Sequence, residues 1–481
     1  MELIHILVFA SIALPFKWLL PKAFQPQALL ILSIIAVAWL MGDGGLESQD
    51  FLLLIVTFAL TIAVWWLIQS NSQRKTLTEH NQRALILIAV LLLGVYIANI
   101  VTGNHADLDV ILGFSLLLGI GGVGFAGLIM QSGDDEDSIN NILHSVALFL
   151  IVAIIIVLLL LKFSPFANYL GHTLQWSSVA LRISSPLVWL GFSYIAFRLV
   201  GVLLDYRSGR LAKQDFGLGE FVTYVVFFPA FTAGPIDRAQ RFIPELVKNK
   251  DLDSARLVEG WTRIAIGVFK KFVIADSLAL VAMNSDLIER LDGTWGLWVI
   301  LYIYAFQIYF DFSGYSDVAI GIGRLYGLTL PENFNRPYLQ PNIQQFWQRW
   351  HMTLSTWFRV YYFTPLSRFF IKSKINVPQN VFILFAQLTT MMLIGLWHGI
   401  TLNFLIWGIW HGVGLFTHKF IADNTKGWTK RVNSRPVSRR LMYVLSVFAT
   451  FHFVVLGWVF FALPSTAESL DMLRGLFGIG G

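Results

Sequence analysis

Long runs of apolar residues alternate with short polar links along most of this chain. A run of about 18 or more apolar residues is long enough to cross the hydrocarbon layer of a bilayer as a helix. A buried soluble core could not absorb so many of them. The pattern predicts about twelve membrane-spanning helices, at Leu3 to Leu20, Gln27 to Met41, Asp50 to Gln69, Arg83 to Val101, Asp107 to Gln131, Ile139 to Leu161, Val179 to Leu204, Gly260 to Met283, Trp295 to Gly323, Asn380 to His398, Leu402 to Phe420 and Leu441 to Leu463.

Two further apolar stretches do not fit as full spans. Phe221 to Ile236 is short and is broken by Pro229 and by Gly234 with Pro235. Tyr338 to Leu366 is rich in aromatic residues but also contains several glutamines and arginines. Irregular backbone at membrane depth is tolerated where protein buries it or where it lines a wet cavity. We therefore expect two re-entrant or interfacial segments that face a central cavity.

The composition agrees with a membrane protein. Of the 481 residues, 56% are hydrophobic and only 13% are charged, against roughly 25% charged in soluble domains. Backbone in lipid must satisfy its own hydrogen bonds, and the apolar runs lack the alternation of barrel strands, so the spans should be helices. The fold class is an all-α polytopic membrane protein with one membrane domain. The first run lacks a basic region before it and a cleavage site after it, which favours a retained helix.

Basic residues predict the orientation. If the N-terminus is outside, the links that carry most Lys and Arg all fall on one side, and the opposite links are nearly free of them. The positive-inside rule then makes the protein a multi-pass protein of the inner (plasma) membrane with both termini extracytoplasmic. The acidic link Ser132 to Ser138 falls on the cytoplasmic side, but acidic residues weigh little in topology.

The absence of cysteine excludes disulfides, thiolate metal ligands and a cysteine-borne acyl intermediate. Any thioester in the chemistry must belong to a cofactor. No metal site is expected, because the histidines lack ligand spacing, and neither a G-x-S-x-G nor a P-loop motif occurs. The basic cytoplasmic loops suit anionic lipid, an acidic carrier protein or a phosphate-rich cofactor. We expect no nucleic-acid partner.

Histidines carry the strongest candidate chemistry. The stretch Gly395 to Gly412 places His398 and His411 among tryptophans, and His351 lies in a second apolar segment. Ionisable residues at membrane depth are rare and usually functional. A near-neutral imidazole can take a proton from a hydroxyl and return it to a leaving thiolate, so His398 and His351 are candidates for acyl transfer. The alternative for each is a structural histidine between packed tryptophans, which we favour for His411.

Polar residues near these histidines could form the wall of the site. The candidates are Asp311, Ser313, Tyr315, Asp317, Trp350, Trp397, Asn403 and His411. Helical spacing gives each carboxylate of the run Phe310 to Asp317 a hydroxyl neighbour. The alternative is a satisfied structural network, with Arg324 or Arg336 as a partner.

Several blocks together resemble a known family, the membrane-bound O-acyltransferases, and are most similar to the bacterial branch that acts on alginate and teichoic acids. The blocks are F-F-P-A-F-T-A-G-P-I-D-R (Phe227 to Arg238), D-F-S-G-Y-S-D-V-A-I-G (Asp311 to Gly321), L-P-E-N-F-N-R-P-Y (Leu330 to Tyr338), F-W-Q-R-W-H-M-T-L-S-T-W-F-R (Phe346 to Arg359), G-L-W-H-G (Gly395 to Gly399), W-G-I-W-H-G (Trp407 to Gly412) and L-G-W-V-F-F (Leu456 to Phe461). The chain departs from the family pattern in two places: Val360-Tyr361 stands where the family commonly has Asp-Tyr, and Ser367-Arg368 stands where it has glycines.

The resemblance implies a role for each histidine. His398 is similar to the family's essential histidine, and His351 to its second active-site polar residue. The resemblance implies a catalytic core over residues 139–463. Residues 1–138 are expected to form N-terminal helices in which no family block is found, and residues 464–481 a short C-terminal tail. The family fold implies a cytosolic entrance for the acyl donor and an opposite entrance for the acceptor.

We therefore expect an acyltransferase. An acyl group, in particular acetyl, would pass from a cytosolic thioester, acetyl-CoA or the phosphopantetheine of an acyl carrier protein, to a hydroxyl of an extracytoplasmic polysaccharide or of a partner acetyltransferase. No permanently bound cofactor is expected. One rival is a proton-coupled transporter that uses the carboxylates and histidines as a relay. The other is a non-catalytic scaffold that relays the acyl group.

Overall fold

Every regular element in the described part of the chain is helical. The computed structural model describes residues 2–42, 48–70, 74, 77–101, 136–163, 165, 189–211, 215–291, 293–373 and 378–479. This agrees with the predicted all-α class. It also follows from the apolar composition, because a helix satisfies its backbone hydrogen bonds within one segment.

The α-helices are α1 (Leu3–Trp18), α2 (Gln25–Met41), α3 (Ser48–Ile68), α4 (Glu79–Val101), α5 (Glu136–Lys162), α6 (Phe192–Arg207), α7 (Leu218–Val226), α8 (Ala239–Lys248), α9 (Ser254–Val268), α10 (Asp276–Ala279), α11 (Ser285–Arg290), α12 (Thr294–Leu325), α13 (Ile343–Trp347), α14 (Met352–Phe358), α15 (Thr364–Lys372), α16 (Gln379–His398), α17 (Leu402–Asn424), α18 (Lys426–Asn433), α19 (Pro436–Ala462) and α20 (Thr466–Leu476). Two π-helices (Phe269–Ala275 and Arg359–Phe363) and three 3-10 helices (Lys22–Phe24, Phe228–Ala230 and Pro337–Leu339) complete them.

Seven helices in the described ranges are long and apolar enough to cross a membrane. They are Lys22–Met41, Asp50–Ile68, Glu79–Ala98, Asp137–Lys162, Thr294–Leu325, Gln379–His398 and Pro436–Ala462. Each coincides with one of the twelve predicted spans. The protein is therefore a multi-pass membrane protein, while the count of twelve stays a prediction.

The other five predicted spans have different outcomes. The span at Leu3 to Leu20 is a shorter apolar helix of 16 residues with Pro15 inside it. The span at Asp107 to Gln131 lies outside the described residues, and the one at Val179 to Leu204 is described only from residue 189 onward. The predicted span Gly260 to Met283 is interrupted by a π-helix and ends at Ala279. Helix α17 has the necessary length but is not among the seven apolar helices.

Helix α4 shows a face suited to lipid. Ile86, Val90, Leu93 and Ile97 are each more than half exposed. Their spacing of three and four residues places them on one face of the helix. A stripe of large apolar side chains in water would be unfavourable, so this face is suited to the hydrocarbon of a bilayer.

The described chain divides into two compact units. The first comprises Met1–Trp261 with Ala319–Leu330, and the second comprises Thr262–Val318 with Pro331–Gly481. The single membrane domain indicated by the sequence stays a prediction.

The first unit contains a short buried helix that does not span. Helix α7 has nine residues, about 14 Å at 1.5 Å per residue, which is half the hydrocarbon thickness. It packs against α2, α3, α4, α6 and α8. The helix ends at Val226, a 3-10 turn follows, and the chain then continues without a helix to Arg238. The predicted break at Pro229 is therefore present.

Arg198 on α6 stabilises this break. Its side chain is 3% exposed and donates hydrogen bonds to the carbonyl oxygens of Val225 (2.6 Å) and Ala230 (2.7 Å). The carbonyl of Val225 would otherwise accept from residue 229, but Pro229 has no N–H. The guanidinium satisfies the two carbonyl groups that the interrupted helix leaves free.

The second unit is built around a helical hairpin of α16 and α17. The two helices are joined by residues 399–401 and are in extensive contact. Their backbones approach closely, since a Cβ atom added to Gly395 would lie 2.2 Å from the carbonyl oxygen of Phe404, and one added to Gly408 would lie 2.6 Å from that of Met391. Small residues permit such close crossings in membrane helices. The hairpin contains the whole stretch Gly395 to Gly412.

The second predicted re-entrant stretch is interrupted several times. Between Tyr338 and Leu366 the chain forms the end of a 3-10 helix, α13 of five residues, α14 of seven residues, a π-helix and the start of α15. None of the seven long apolar helices falls within it. Arg336 and His351 have positive φ angles of 47° and 42°, which interrupt regular structure because the left-handed region is unfavourable for a side-chain-bearing residue.

Candidate active site

His351 occupies a strained backbone position at the start of α14. Its φ and ψ angles are 42° and 55°, a conformation that costs a non-glycine residue roughly 1 kcal/mol or more. Two backbone hydrogen bonds fix it. The amide of Met352 donates to the carbonyl of Asn333 (2.9 Å), and the amide of Asn335 donates to the carbonyl of Arg349 (3.0 Å). Pairing of two distant segments thus determines where the imidazole lies.

The imidazole of His351 is buried and hydrogen-bonded on one side only. It is 2% exposed, and its Nδ1 lies 3.0 Å from Oδ1 of Asn333. Phe312 meets the ring edge-on with centroids 4.7 Å apart. Nε2 is buried and has no hydrogen-bond partner in the described part of the chain. An unsatisfied buried nitrogen of this kind is costly, and in native proteins it often marks a functional group.

Trp397 connects the two principal histidines. Its ring centroid lies 4.5 Å from that of His398 and 6.2 Å from that of His351. His398 is the last residue of α16 and is half-buried. Phe461 and Trp407 also contact the His398 ring, at centroid distances of 4.7 and 5.7 Å. The structure thus brings His398 and His351 into one aromatic cluster, in which the His398 residue is only partly buried.

His411 lies deeper in the same cluster. It is fully buried, one turn after Trp407, with ring centroids 4.9 Å apart. Trp347 and Phe453 also contact it, at 5.2 and 5.9 Å. Neither of its ring nitrogens has a hydrogen-bond partner among the described residues. The packing role expected for His411 from the sequence stays a prediction.

The two carboxylates on α12 form ion pairs with lysine and arginine side chains. Asp317 forms ion pairs with Lys270 (2.6 Å) and Arg263 (3.0 Å), and Asp311 pairs with Lys271. These are not the partners that the sequence suggested. Arg324 instead pairs with Glu259. A network of this kind corresponds to the structural alternative for the two carboxylates.

A different face of α12 meets the candidate site. Phe312 contacts the His351 ring, and one turn later the hydroxyl of Ser316 accepts a hydrogen bond from Asn333 (3.2 Å). Ser313 and Tyr315, which the sequence proposed as wall residues, are both buried. The Oγ of Ser313 has no hydrogen-bond partner among the described residues.

The other proposed wall residues differ in their surroundings. Trp350 is 4% exposed and packs against Phe346 and Trp458, at centroid distances of 5.6 and 5.1 Å. Asn403 has a fully occupied amide. It donates to the carbonyl of Leu463 (2.8 Å) and to Ser469 (3.1 Å), and accepts from Thr466 (2.7 Å). The amide of Asn403 ties α17 to the C-terminal segment and offers little to a substrate.

A cavity of about 620 Å³ opens beside α14. Met352, which follows His351, is part of its lining, together with residues of α13, the second π-helix, α16 and α17. Arg349, Arg359 and Lys419 give it positive charge. Neither His351 nor His398 is itself a lining residue. The volume lies in the range of small-molecule sites.

Unpartnered polar groups lie in the wall of this cavity. Trp347 is 7% exposed, and its indole Nε1 has no hydrogen-bond partner among the described residues, nor has the carbonyl Oε1 of Gln387. One group can donate and the other can accept.

The charge of Lys419 is partly shared with a carboxylate. Asp423 on the same helix pairs with Lys419 and with Lys426 (3.1 Å), and their hydrogen bonds lower the pKa of the Asp423 carboxyl below its usual value. For Arg349 and Arg359 the structure records no ion pair among the described residues. Most of the positive charge available to a ligand should therefore come from these two arginines.

Sequence reasoning did not select Asn333 or Phe312. Both lie inside blocks that carry the family resemblance, but a single amide or phenyl group has no motif of its own. Asn333 is 0% exposed, and a buried amide within an apolar protein is a signal of a hydrogen-bonded network. Only the fold shows that His351 belongs to that network.

Comparison with known proteins identifies the family. The model of the membrane-bound O-acyltransferase (MBOAT) family matches residues 139–463. The chain belongs to the membrane-bound O-acyltransferase family. This confirms the resemblance inferred from the sequence blocks, and the matched residues include His351, His398 and every lining residue of the cavity.

Three relatives indicate the chemistry of the family. A teichoic acid D-alanyltransferase of Streptococcus thermophilus is 32% identical over 58% of this chain and 69% of its own. A probable alginate O-acetylase, AlgI, of Pseudomonas aeruginosa is 32% identical over 69% of this chain and 61% of its own. A peptidoglycan O-acetyltransferase of Helicobacter pylori is 32% identical over 69% and 65%. The family and these names indicate an enzyme of the O-acetyltransferase or D-alanyltransferase type.

Proposed function

We propose that the protein transfers an acetyl group from a cytosolic thioester to a hydroxyl of an extracytoplasmic polysaccharide or of a partner protein. The observation that carries this proposal is the meeting of His398 and His351 at Trp397, next to a basic cavity. Two of the three relatives described above are named for O-acetyl transfer.

The proposed chemistry needs one base. The oxygen of the acceptor hydroxyl attacks the thioester carbonyl carbon while the imidazole of His398 takes the hydroxyl proton. The carbon–sulfur bond then breaks, and the same imidazole returns the proton to the departing thiolate. The products are an ester and a free thiol, and His398 is regenerated. A positioned base of this kind contributes on the order of 10² to 10⁴ to the rate.

The cavity beside α14 is our candidate for the donor entrance. Acetyl-CoA and an acylated carrier protein share a phosphate and amide groups in the phosphopantetheine arm. Arg349 and Arg359 could bind the phosphate, since a guanidinium matches phosphate geometry. Trp347 and Gln387 could bind an amide through their unpartnered N–H and C=O groups.

The proposal includes an orientation. Arg349, Arg359 and Lys419 belong to the basic links that the positive-inside rule assigns to the cytoplasm, which leaves both termini in the extracytoplasmic space. A cytosolic donor would then meet this cavity directly. The acceptor, a polysaccharide or an acetyltransferase partner, would approach from the opposite side of the membrane.

Mass spectrometry of cell-envelope glycans tests the function. Cells that make the parent chain should carry acetyl esters that are absent from cells without it. His398→Ala should lower this acetylation at least about 100-fold while the protein accumulates normally in the membrane. His418→Ala, a histidine of α17 outside the aromatic cluster, serves as the matched control. Normal acetylation by His398→Ala at normal abundance would overturn the assignment.

The two rival functions are separated by further assays. A scaffold that only relays the acyl group would fail to modify a free acceptor when purified protein is given donor and acceptor. A proton-coupled transporter would show ion uptake into proteoliposomes without any acyl donor. Its relay would have to include Asp311 and Asp317, which are paired with lysines and an arginine, so no observation favours it.

A further inference from the structure

Asn333 is the centre of a buried hydrogen-bond network around His351. Its Nδ2 donates to the hydroxyl of Ser316 (3.2 Å). Its Oδ1 lies 3.0 Å from Nδ1 of His351 and accepts from both the hydroxyl (2.9 Å) and the backbone amide (3.3 Å) of Thr353. The side chain is completely buried. Every polar atom of the amide is therefore engaged.

The network determines which atom of Asn333 is the oxygen. Amide oxygen and nitrogen are usually assigned from their partners. The backbone N–H of Thr353 can only donate, so the atom that it meets must be the acceptor, Oδ1. The same oxygen faces His351, and an oxygen acceptor requires a donor opposite it. Nδ1 of His351 must therefore carry a proton.

The other ring nitrogen is then defined as well. A neutral imidazole has one N–H and one lone pair, so Nε2 of His351 carries the lone pair. The side chains that the structure records against this ring, Asn333, Phe312 and Trp397, are uncharged. Nε2 faces away from Asn333 and has no partner among the described residues. It is a hydrogen-bond acceptor without a donor.

We propose that Asn333 is a positioning residue that holds His351 in the Nδ1-protonated tautomer, so that Nε2 accepts a hydrogen bond from a second hydroxyl of a polysaccharide acceptor, adjacent to the hydroxyl whose proton His398 takes. A thioester carbonyl offers only lone pairs and cannot bind to this nitrogen. In this proposal His351 therefore orients the acceptor and does not bind the thioester carbonyl. The hydroxyl assignment rests on the proposed acyl transfer, whereas the tautomer stands on the network alone.

The strained backbone supports this assignment. The left-handed conformation of His351 and the hydrogen bond between Met352 and Asn333 bring residues 333 and 351 together across 18 positions of sequence. Backbone strain of this kind persists where the surrounding structure fixes a residue for function. A ring that served only for packing would not need one defined protonated nitrogen.

Histidine-selective 15N solid-state NMR of the protein in lipid tests the tautomer without any enzymatic assay. The signals of His351 are identified by their loss in His351→Gln. We expect a protonated Nδ1 and an unprotonated Nε2 at neutral pH. A protonated Nε2 with a bare Nδ1 in the parent protein would overturn the proposal, whether or not acyl transfer is observed.

Kinetics of two variants test the functional consequence. Asn333→Leu removes the acceptor and should lower kcat on the order of 100-fold with little change in the donor KM. Asn333→Asp keeps an acceptor and should recover most of kcat, with the acid limb of the pH–rate profile moved to higher pH because a carboxylate stabilises the imidazolium. Ser367→Ala, whose hydroxyl donates to the carbonyl of Phe363 within its own helical segment and lies outside this network, is the control and should stay within a few-fold of the parent.

The outcomes separate the two claims. If Asn333→Leu does not accumulate, the pH profile of Asn333→Asp decides, and a profile that superimposes on the parent's overturns the positioning role. Full kcat in Asn333→Leu would also overturn it. If the parent itself transfers no acyl group to any acceptor, the proposed function fails, and the NMR result still decides the tautomer.

Discussion

Arg198 provides the carbonyl group of Val225 with the hydrogen bond that Pro229 cannot donate. The guanidinium lies 5.9 Å from the ring centroid of Tyr224, and Arg198 as a whole is 3% exposed. A buried charge is stable only when it is well hydrogen-bonded. The cation and the broken helix therefore depend on each other: the arginine needs free carbonyl groups, and the break at Pro229 supplies them.

Arg198→Met should destabilise the protein by about 2 to 5 kcal/mol, because two buried carbonyl oxygens lose a charged donor. The expected measurement is a lower thermal unfolding midpoint of the detergent-solubilised protein. Arg207→Met, at the exposed end of the same helix, should change the midpoint very little. An unaltered midpoint in Arg198→Met would show that the break does not need the guanidinium.

Asp317→Asn should be more harmful than Asp311→Asn. The carboxylate of Asp317 is 9% exposed and pairs with both Lys270 and Arg263. Asp317→Asn leaves the half-buried Lys270 without a carboxylate among the described residues, whereas Arg263 keeps Glu332, so the expected cost is about 1 to 3 kcal/mol. Asp311 is 42% exposed, and such a pair contributes about 1 kcal/mol or less. Thermal unfolding of the two variants measures the difference. Equal losses would contradict the unequal burial.

Gly395→Ala should disrupt the hairpin that holds His398. Its Cβ would lie 2.2 Å from the carbonyl oxygen of Phe404, so the helices must separate, at a cost of about 1 to 3 kcal/mol. Both the unfolding midpoint and acyl transfer should fall. Gly427→Ala is the matched control, since nothing lies within 4 Å of its added Cβ, and alanine is favoured in a helix. Similar behaviour of the two variants would argue against a tight crossing.

Arg359→Gln should weaken donor binding without affecting the chemical step. Loss of one cation near a phosphate should raise the donor KM about threefold to tenfold, leave kcat near the parent value and reduce the sensitivity of KM to salt. Arg368→Gln, an exposed change outside the cavity lining, should leave all three unchanged. A fall in kcat with an unchanged KM would contradict a donor entrance at this cavity.

Periodicity and spacing predicted the helical class and the positions of seven long helices, because apolar length alone decides whether a helix can span. They could not predict the rotation of α12 about its own axis. Asp311 and Asp317 are polar residues in an apolar run, and the sequence therefore proposes them for the site wall. In the structure, Phe312 and Ser316 are the α12 residues that contact His351 and Asn333. Several faces of α12 carry polar residues, so composition did not distinguish between them.

The histidine pair was predicted from the sequence, but its surroundings were not. His351 and His398 are 47 positions apart, and they share Trp397 only because the second unit folds the α14 segment onto the end of α16. The role of Asn333 depends on a left-handed residue and on pairing between residues 333–335 and 349–352. Such contacts between distant segments leave no local pattern in the chain.

The π-helix Phe269–Ala275 sets the register of the cations opposite α12. Consecutive residues of an α-helix diverge by about 100°, yet Lys270 and Lys271 reach carboxylates that lie six residues, or about 9 Å, apart along α12. A wider turn makes room for one extra residue. Deleting a single residue here would rotate the helix on one side of the turn by about 100° relative to the other side. One of the two lysines would then no longer face its carboxylate, so the length of this turn is constrained as well as its composition.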